Sequence, residues 1–193
     1  MNLIDRFHHW RRRRRWNKQY RKGRWDSLES KKEAKRYDQI IAFIERFAIK
    51  NPSILDIGCG DGVLTQRMNP DSYRNFLGVD YAQASIEKAR ERQLSQAEFE
   101  VADAIHFDPA NQFDVIVFNE AFYYIEDSHK RRVLDRILGK LSKKGLLIVS
   151  IYREGTGCWE YFKEHPGLKE VAFKKVTTDE ELRYWKVGAY QPT

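Results

Sequence analysis

Cysteine is nearly absent from this chain of 193 residues, Cys59 and Cys158 being the only two. One lies inside a glycine loop and the other beside Trp159, which matches neither a disulfide framework nor a zinc ligand set. No metal site is expected, and a reducing, cytoplasmic compartment is. Long apolar runs are also missing: nothing approaches the roughly 20 residues that a membrane-spanning helix requires. The N-terminus reaches an arginine run without the apolar stretch of a secretory signal. A soluble protein is therefore expected. No internal repeat or low-complexity segment occurs beyond Arg11–Arg15. What is present, 41% hydrophobic and 33% charged residues, suits one domain able to bury a core without staples.

The net charge of +7 is unevenly spread. Residues 1–50 carry 16 basic and 6 acidic side chains, whereas residues 51–193 carry 19 and 22. The basicity thus belongs to an N-terminal arm, not to the rest of the chain. Residues 1–28, rich in Arg, Trp and Tyr, read as an arm with one or two helical turns. From Ser30 the pattern changes. Ser30 and Glu33 fit a capping box, and Ala34, Tyr37, Ile41, Ile44 and Ala48 recur at helical spacing. This helix is expected to end near Asn51-Pro52.

Short apolar runs then alternate with amphipathic segments. Ser53–Ile57, Asn75–Val79, Glu98–Ala102, Phe113–Phe118 and Gly145–Ile151 read as strands, the last two apolar enough to be buried on both faces. Helices are expected at about Gly62–Met68, Ala82–Leu94 and Ser128–Leu141. This alternation predicts a doubly wound, mostly parallel α/β sheet. The tail adds Val171–Thr177 and Leu182–Val187, an antiparallel pair joined by Thr178–Glu181, for seven strands in all.

The strongest local signal is Ile54-Leu55-Asp56-Ile57-Gly58-Cys59-Gly60-Asp61-Gly62, a strand entering a glycine loop that opens a helix. In open α/β sheets ligands sit at the carboxyl ends of strands, where glycine lets the backbone approach closely. The spacing is Gly-x-Gly-x-Gly, not the Gly-x-Gly-x-x-Gly of dinucleotide sites, and Asp56 precedes it. A pyrophosphate would be repelled there and an ammonium group welcomed. A second acid, Asp80, ends Phe76-Leu77-Gly78-Val79-Asp80, about 20 residues after the loop, where ribose hydroxyls are accepted. A third, Asp103, ends Phe99-Glu100-Val101-Ala102-Asp103-Ala104, within reach of an adenine amino group. Three acids at successive strand ends describe one adenosine-bearing cation.

With the fourth-strand segment Phe113-Asp114-Val115-Ile116-Val117-Phe118-Asn119-Glu120, these motifs resemble class I S-adenosylmethionine-dependent methyltransferases over roughly residues 30–152. The resemblance implies a Rossmann-like fold and S-adenosylmethionine as cofactor. It sets Asp56, Gly58, Cys59 and Gly60 around the methionine part, Asp80 and Tyr81 at the ribose, Asp103 and Ala104 at the adenine, and Asn119 beside them. The main rival for these motifs is an NAD-dependent enzyme. Trp16, Tyr20, Gly23 and Trp25 resemble the N-terminal lid of small-molecule methyltransferases, some found with saccharide-modifying enzymes. By that resemblance residues 1–28 form an arm or lid on a cofactor-binding domain of residues 29–193. Tyr20, Arg24 and Trp25 would then close over the methionine carboxylate or the acceptor.

Methyl transfer is an in-line displacement that chiefly needs alignment and exclusion of water. The expected acceptor is a nitrogen or oxygen of a small, polar, sugar-like molecule. Glu120 could orient it, and Tyr123 and Tyr124 could wall it, although simple packing explains the tyrosines equally well. His106 and His129 read as structural or solvated; His165, near Trp159, Tyr161 and Phe162, is the better candidate base. Arg11 to Arg15 with Trp10 and Trp16 could grip nucleic-acid phosphates, anionic lipid heads or an acidic substrate, or simply form a solvated face. The alternatives are an RNA or protein methyltransferase using that run, and a non-catalytic nucleotide-binding module.

Overall fold

The computed structural model describes residues 3–155, 157–179 and 182–193, residues 3–9 as backbone only. Seven strands form one sheet: β1 (Ser53–Ile57), β2 (Asn75–Asp80), β3 (Ala97–Val101), β4 (Phe113–Asn119), β5 (Leu141–Tyr152), β6 (Leu168–Thr177) and β7 (Tyr184–Pro192). Their order is β3-β2-β1-β4-β5-β7-β6. β1 to β5 run parallel, and β7 is antiparallel to both β5 and β6. The expected antiparallel tail pair is present, and Glu180 and Glu181 of its link lie outside the described residues.

The alternation of β4 builds two cores from one strand. Val115 and Val117 enter one cluster with Tyr37, Ile40 and Phe43 of α2 (Lys31–Phe47), Leu64 of α3 (Val63–Arg67) and Ile86 of α4 (Gln83–Glu91). Ile116 and Phe118 enter the other with Val133, Leu134 and Ile137 of α5 (Asp127–Leu138) and Phe162 of α6 (Glu160–Lys163). A period of two puts successive side chains on opposite faces. This explains why the central strands are apolar throughout while the helices are amphipathic.

Several boundaries differ from expectation. β5 begins at Leu141 rather than Gly145, because Leu141 pairs with Phe113 and the Ser142 hydroxyl donates to Asp114 at 3.2 Å. The preceding helix accordingly ends three residues early, at Leu138. Ser30 does cap α2, but its side chain makes no capping bond. Glu33 is instead drawn inward by arginines.

The largest correction concerns the arm. Residues Leu3–Arg21 form one continuous helix, α1, not one or two turns. Arginine, lysine and glutamine are good helix formers, and tertiary contacts pin the helix across the sheet. Arg12 reaches Glu126 at 2.6 Å. Asn17 Oδ1 accepts the Ala84 N–H at 2.8 Å, capping α4 where its own N-cap residue, Ala82, has no acceptor. Among the described residues no helix is long and apolar enough to cross a membrane. Cys59 and Cys158 are both free and buried.

Candidate active site

The strand order reverses between β1 and β4, and the crevice at such a switch point is where open α/β sheets bind ligands. Here it is a cavity of about 510 Å³ roofed by α1. Gly58, Cys59 and Gly60 line it after β1, Asp80 and Tyr81 after β2, Asp103 and Ala104 after β3, and Asn119 and Glu120 after β4. Tyr123 and Tyr124 line it from the next turn, and Arg12, Arg15, Trp16, Tyr20 and Trp25 from above.

Gly58, Gly60 and Gly62 all have positive φ, 81°, 59° and 83°, but at the first two the closest neighbours of an added Cβ are protein atoms, not open ligand space. At Gly58 it would stand 2.4 Å from Ala121 Cβ, and at Gly60 2.8 Å from the Tyr20 hydroxyl. The Gly58 and Cys59 N–H groups donate to Val79 O at 2.8 and 3.1 Å, tying the loop to β2. Asp80 completes that tie, accepting from Gly60 N at 3.0 Å and Ala82 N at 2.8 Å. Asp103 accepts from Ile105 N at 3.0 Å. Burial, followed by the Asp80 and Asp61 carboxylates, pushes the Tyr20 phenol above its usual range, so it stays neutral.

Asp56 is 1% exposed and lies behind the cavity wall. Its Oδ1 has no hydrogen-bond partner among the described residues, and burial, then Asp80, push its pKa up to about 8 against the opposing pull of Arg36. Folding therefore strengthens proton binding at Asp56. Its contribution to stability is full below the usual carboxylate pKa and is lost as pH rises to about 8. The cofactor-free protein should melt at a progressively lower temperature as pH rises through this window, and Asp56→Asn should flatten the fall. Parallel melting curves for the two proteins would show that Asp56 is not buried and protonated.

α2 also sends a charged pair into the cavity. Arg36 is 3% exposed; its Nη2 lies 3.2 Å from Glu33 and its Nη1 3.9 Å from Glu120. Arg183 meets the other Glu33 oxygen at 3.3 Å. Glu120 accepts from the Tyr123 hydroxyl at 2.9 Å and the Ser150 hydroxyl at 3.1 Å. Its φ of 59° is unusual for a side-chain-bearing residue, and such strain gathers at functional sites. Burial lifts its pKa to about 7, although Arg36, Tyr123 and Ser150 oppose the shift. Tyr152 and Trp185, with ring centroids 5.9 Å apart, complete this chamber.

Sequence reasoning singled out neither Glu33, Arg36, Arg183, Trp185 nor Tyr152 as site residues. Glu33 and Arg36 did leave a signal: they share the inward face of α2 with Tyr37 and Ile40, and charges on an apolar face call for partners. Arg183 and Trp185 left none, since only the reversal of β7 beside β5 brings them here. Two candidates are misplaced. His165 lies outside the cavity, where Nε2 meets Asp135 at 2.9 Å and Nδ1 accepts from Gly167 N, so it has no access to a reaction there. Arg24 is exposed and leans over the Trp25 ring at 5.8 Å instead of entering the cavity. Of the arginine run, half-buried Arg12 and exposed Arg15 border the cavity, whereas Arg11, Arg13 and Arg14 are exposed and do not.

An adenosine-bearing cation with a free amino acid end suits this cavity. Asn119 Oδ1 is a buried acceptor without a partner, and Arg36 Nε and Trp25 Nε1 are buried donors without one among the described residues. Such atoms are costly unless a ligand engages them.

Fold and cavity together define a nucleoside-binding, doubly wound α/β protein. The profile of a family described as "Methyltransferase domain" matches residues 49–186, and the chain belongs to this family of S-adenosylmethionine-dependent methyltransferases. Malonyl-[acyl-carrier protein] O-methyltransferase 2 of Ilyobacter polytropus is 26% identical over 122 residues, covering 62% of this chain and 45% of that protein. Trans-aconitate 2-methyltransferase of Variovorax paradoxus is 31% identical over 100 residues, 51% of this chain and 38% of that one. The chain therefore spans less than half the length of these relatives. In fold it is similar to the N-methyltransferase NodS of Bradyrhizobium japonicum in complex with S-adenosyl-L-homocysteine. There the TM-score is 0.74 and the identity 22%, over 87% of this chain and 91% of that chain.

Proposed function

We propose that this protein transfers a methyl group from S-adenosylmethionine to a nitrogen or oxygen of a small, polar, sugar-like acceptor. The observation that carries the reading is one cavity beneath α1, lined both by the strand-end acids Asp80 and Asp103 and by the polar and aromatic side chains Glu120, Tyr123, Tyr152 and Trp185. When bound, the cofactor supplies an electrophilic methyl group on a sulfonium. Asp80 would accept from the ribose hydroxyls with the lone pairs that Gly60 and Ala82 leave open, and Asp103 from the adenine amino group. Asn119 would take the methionine ammonium, with the Asp56 carboxyl behind the wall. Arg36, through Nε, and Trp25 would hold the carboxylate, in place of the Arg24 suggested by sequence. Tyr20 and Trp16 would exclude water from above as a lid.

A concave cavity partly roofed by α1 favours a small acceptor over RNA or protein. The test is calorimetry with S-adenosylmethionine, then a screen of polar metabolites for released S-adenosylhomocysteine. Asp80→Ala should weaken cofactor binding by about 1–3 kcal/mol, the cost of charged hydrogen bonds, while circular dichroism stays unchanged. Equal affinity in the folded variant would remove Asp80 from the site.

A further inference from the structure

We propose that the acceptor is an amine, cationic in solution, whose ammonium group is received by Glu120 between the aromatic walls of the chamber. This deepens the function proposed above and rests on it. Beside Tyr123, Tyr152 and Trp185 the cavity lining carries the charged side chains Glu33, Glu120, Arg36 and Arg183, in addition to Arg12, Arg15, Asp61, Asp80 and Asp103. Glu33 lies between two guanidinium groups, at 3.2 Å from Arg36 and 3.3 Å from Arg183. Glu120 has no comparable partner. Its hydrogen-bond donors, Tyr123 and Ser150, are neutral, and Arg36 stands off at 3.9 Å. Once a methionine carboxylate draws on Arg36, Glu120 is the chamber's one carboxylate lacking a close cation. A cationic acceptor restores the balance.

The walls point the same way. Tyr123, Tyr152 and Trp185 line the cavity with Glu120; one face of Trp185 carries Arg36 at 5.1 Å and one of Tyr152 carries Arg153 at 5.0 Å, and aromatic faces attract such cations electrostatically. An alcohol is a poorer match on proton affinity. The groups facing Glu120 are Arg36 and Glu33 from α2, Tyr123 from its own turn and Ser150 from β5, and together with burial they leave its pKa at about 7. Proton transfer to such a group from a hydroxyl of water-like acidity is uphill by about nine powers of ten. From an alkylammonium it is uphill by only about three to four.

The balanced step is then simple. The ammonium gives one proton to the Glu120 carboxylate, and the freed nitrogen lone pair forms the bond to the methyl carbon. The carbon–sulfur bond breaks with its electron pair on sulfur, leaving a neutral thioether, an N-methylated ammonium and protonated Glu120, which loses its proton to solvent.

The test uses the full chain and matched probes: 2-amino-2-deoxyglucose and ethanolamine, their alcohol counterparts glucose and ethylene glycol, and the carboxylates glucuronate and glycolate. Cofactor binding is measured first by calorimetry, and its absence would sink the methyltransferase reading itself. With cofactor bound, radiolabelled methyl groups should pass to amines alone. The amines should also bind the complex with S-adenosylhomocysteine at least tenfold more tightly than their alcohols. Glu120→Gln should remove that preference and the fall in rate below about pH 7. Transfer to an alcohol or carboxylate, or no transfer to and no preferential binding of either amine with the cofactor bound, overturns the proposal. So does a Glu120→Gln protein that keeps both the preference and the pH profile.

Discussion

Gly58→Val is expected to abolish cofactor binding and to lower the melting temperature markedly. Two independent obstacles meet at this position. The backbone sits at φ 81°, where a β-branched residue is strained, and any Cβ would stand 2.4 Å from Ala121 Cβ, far inside contact distance. Neither neighbour can yield cheaply. Gly58 and Cys59 both donate to Val79 O, and Ala121 follows Glu120, whose own backbone is fixed at φ 59°. Backbone strain and overpacking together should cost roughly 3 kcal/mol or more, or about 6–12 °C in a chain of this size. The two contributions separate in a double-mutant cycle of Gly58→Ala with Ala121→Gly. The second change removes the clash but not the backbone penalty, which is about 1–2 kcal/mol for a left-handed residue. Additivity of the two single changes would mean that Gly58 and Ala121 do not touch. Normal affinity of Gly58→Val for S-adenosylhomocysteine would make the loop an ordinary turn.

This pair illustrates what sequence could and could not disclose. Gly58, Gly60, Asp80 and Asp103 were legible because each ends a strand whose apolar run announces it, and a strand end is a local property. The reason for the glycines was not legible. Their crowding comes from Ala121 and Tyr20, far away in the chain, rather than from the ligand space that the motif suggests. Fold class followed from the alternation of apolar runs, and the antiparallel tail from its short link. The chamber around Glu120 was only half legible, because α2, β4, β5 and β7 must first assemble before Arg36, Ser150 and Trp185 meet. A strongly basic helix such as α1 has almost no periodic signal of its own. Its continuity depends on Glu126, Ala84 and Tyr124, none of which adjoins it in sequence.

Deleting residues 1–26 should therefore weaken binding of S-adenosylhomocysteine by at least about 30-fold, or about 2 kcal/mol, and suppress turnover further. The deletion removes Trp16, Tyr20 and Trp25, which stack on one another and on Tyr124 above the cavity, with Trp16 and Trp25 centroids 5.2 Å apart and Trp16 edge-on to Tyr124 at 5.0 Å. It uncovers Gly60, on which the Tyr20 hydroxyl rests, and takes away the Asn17 cap of α4, worth about 1 kcal/mol. Deleting only residues 1–15 tests the inner arginines. A merely peripheral run would leave binding intact. Arg12 and Arg15 line the cavity, however, and the remainder of α1 is Trp16–Arg21, less than two turns. A helix that short does not hold itself together, so Trp16 and Tyr20 lose their support along with the Arg12–Glu126 contact. The shorter deletion should then lose most of what the longer one loses. Should the shorter deletion bind as the full chain does, Arg12 and Arg15 have no part in the site. Should both bind normally, α1 is no lid, and Tyr20 and Trp25 lose the roles proposed for them.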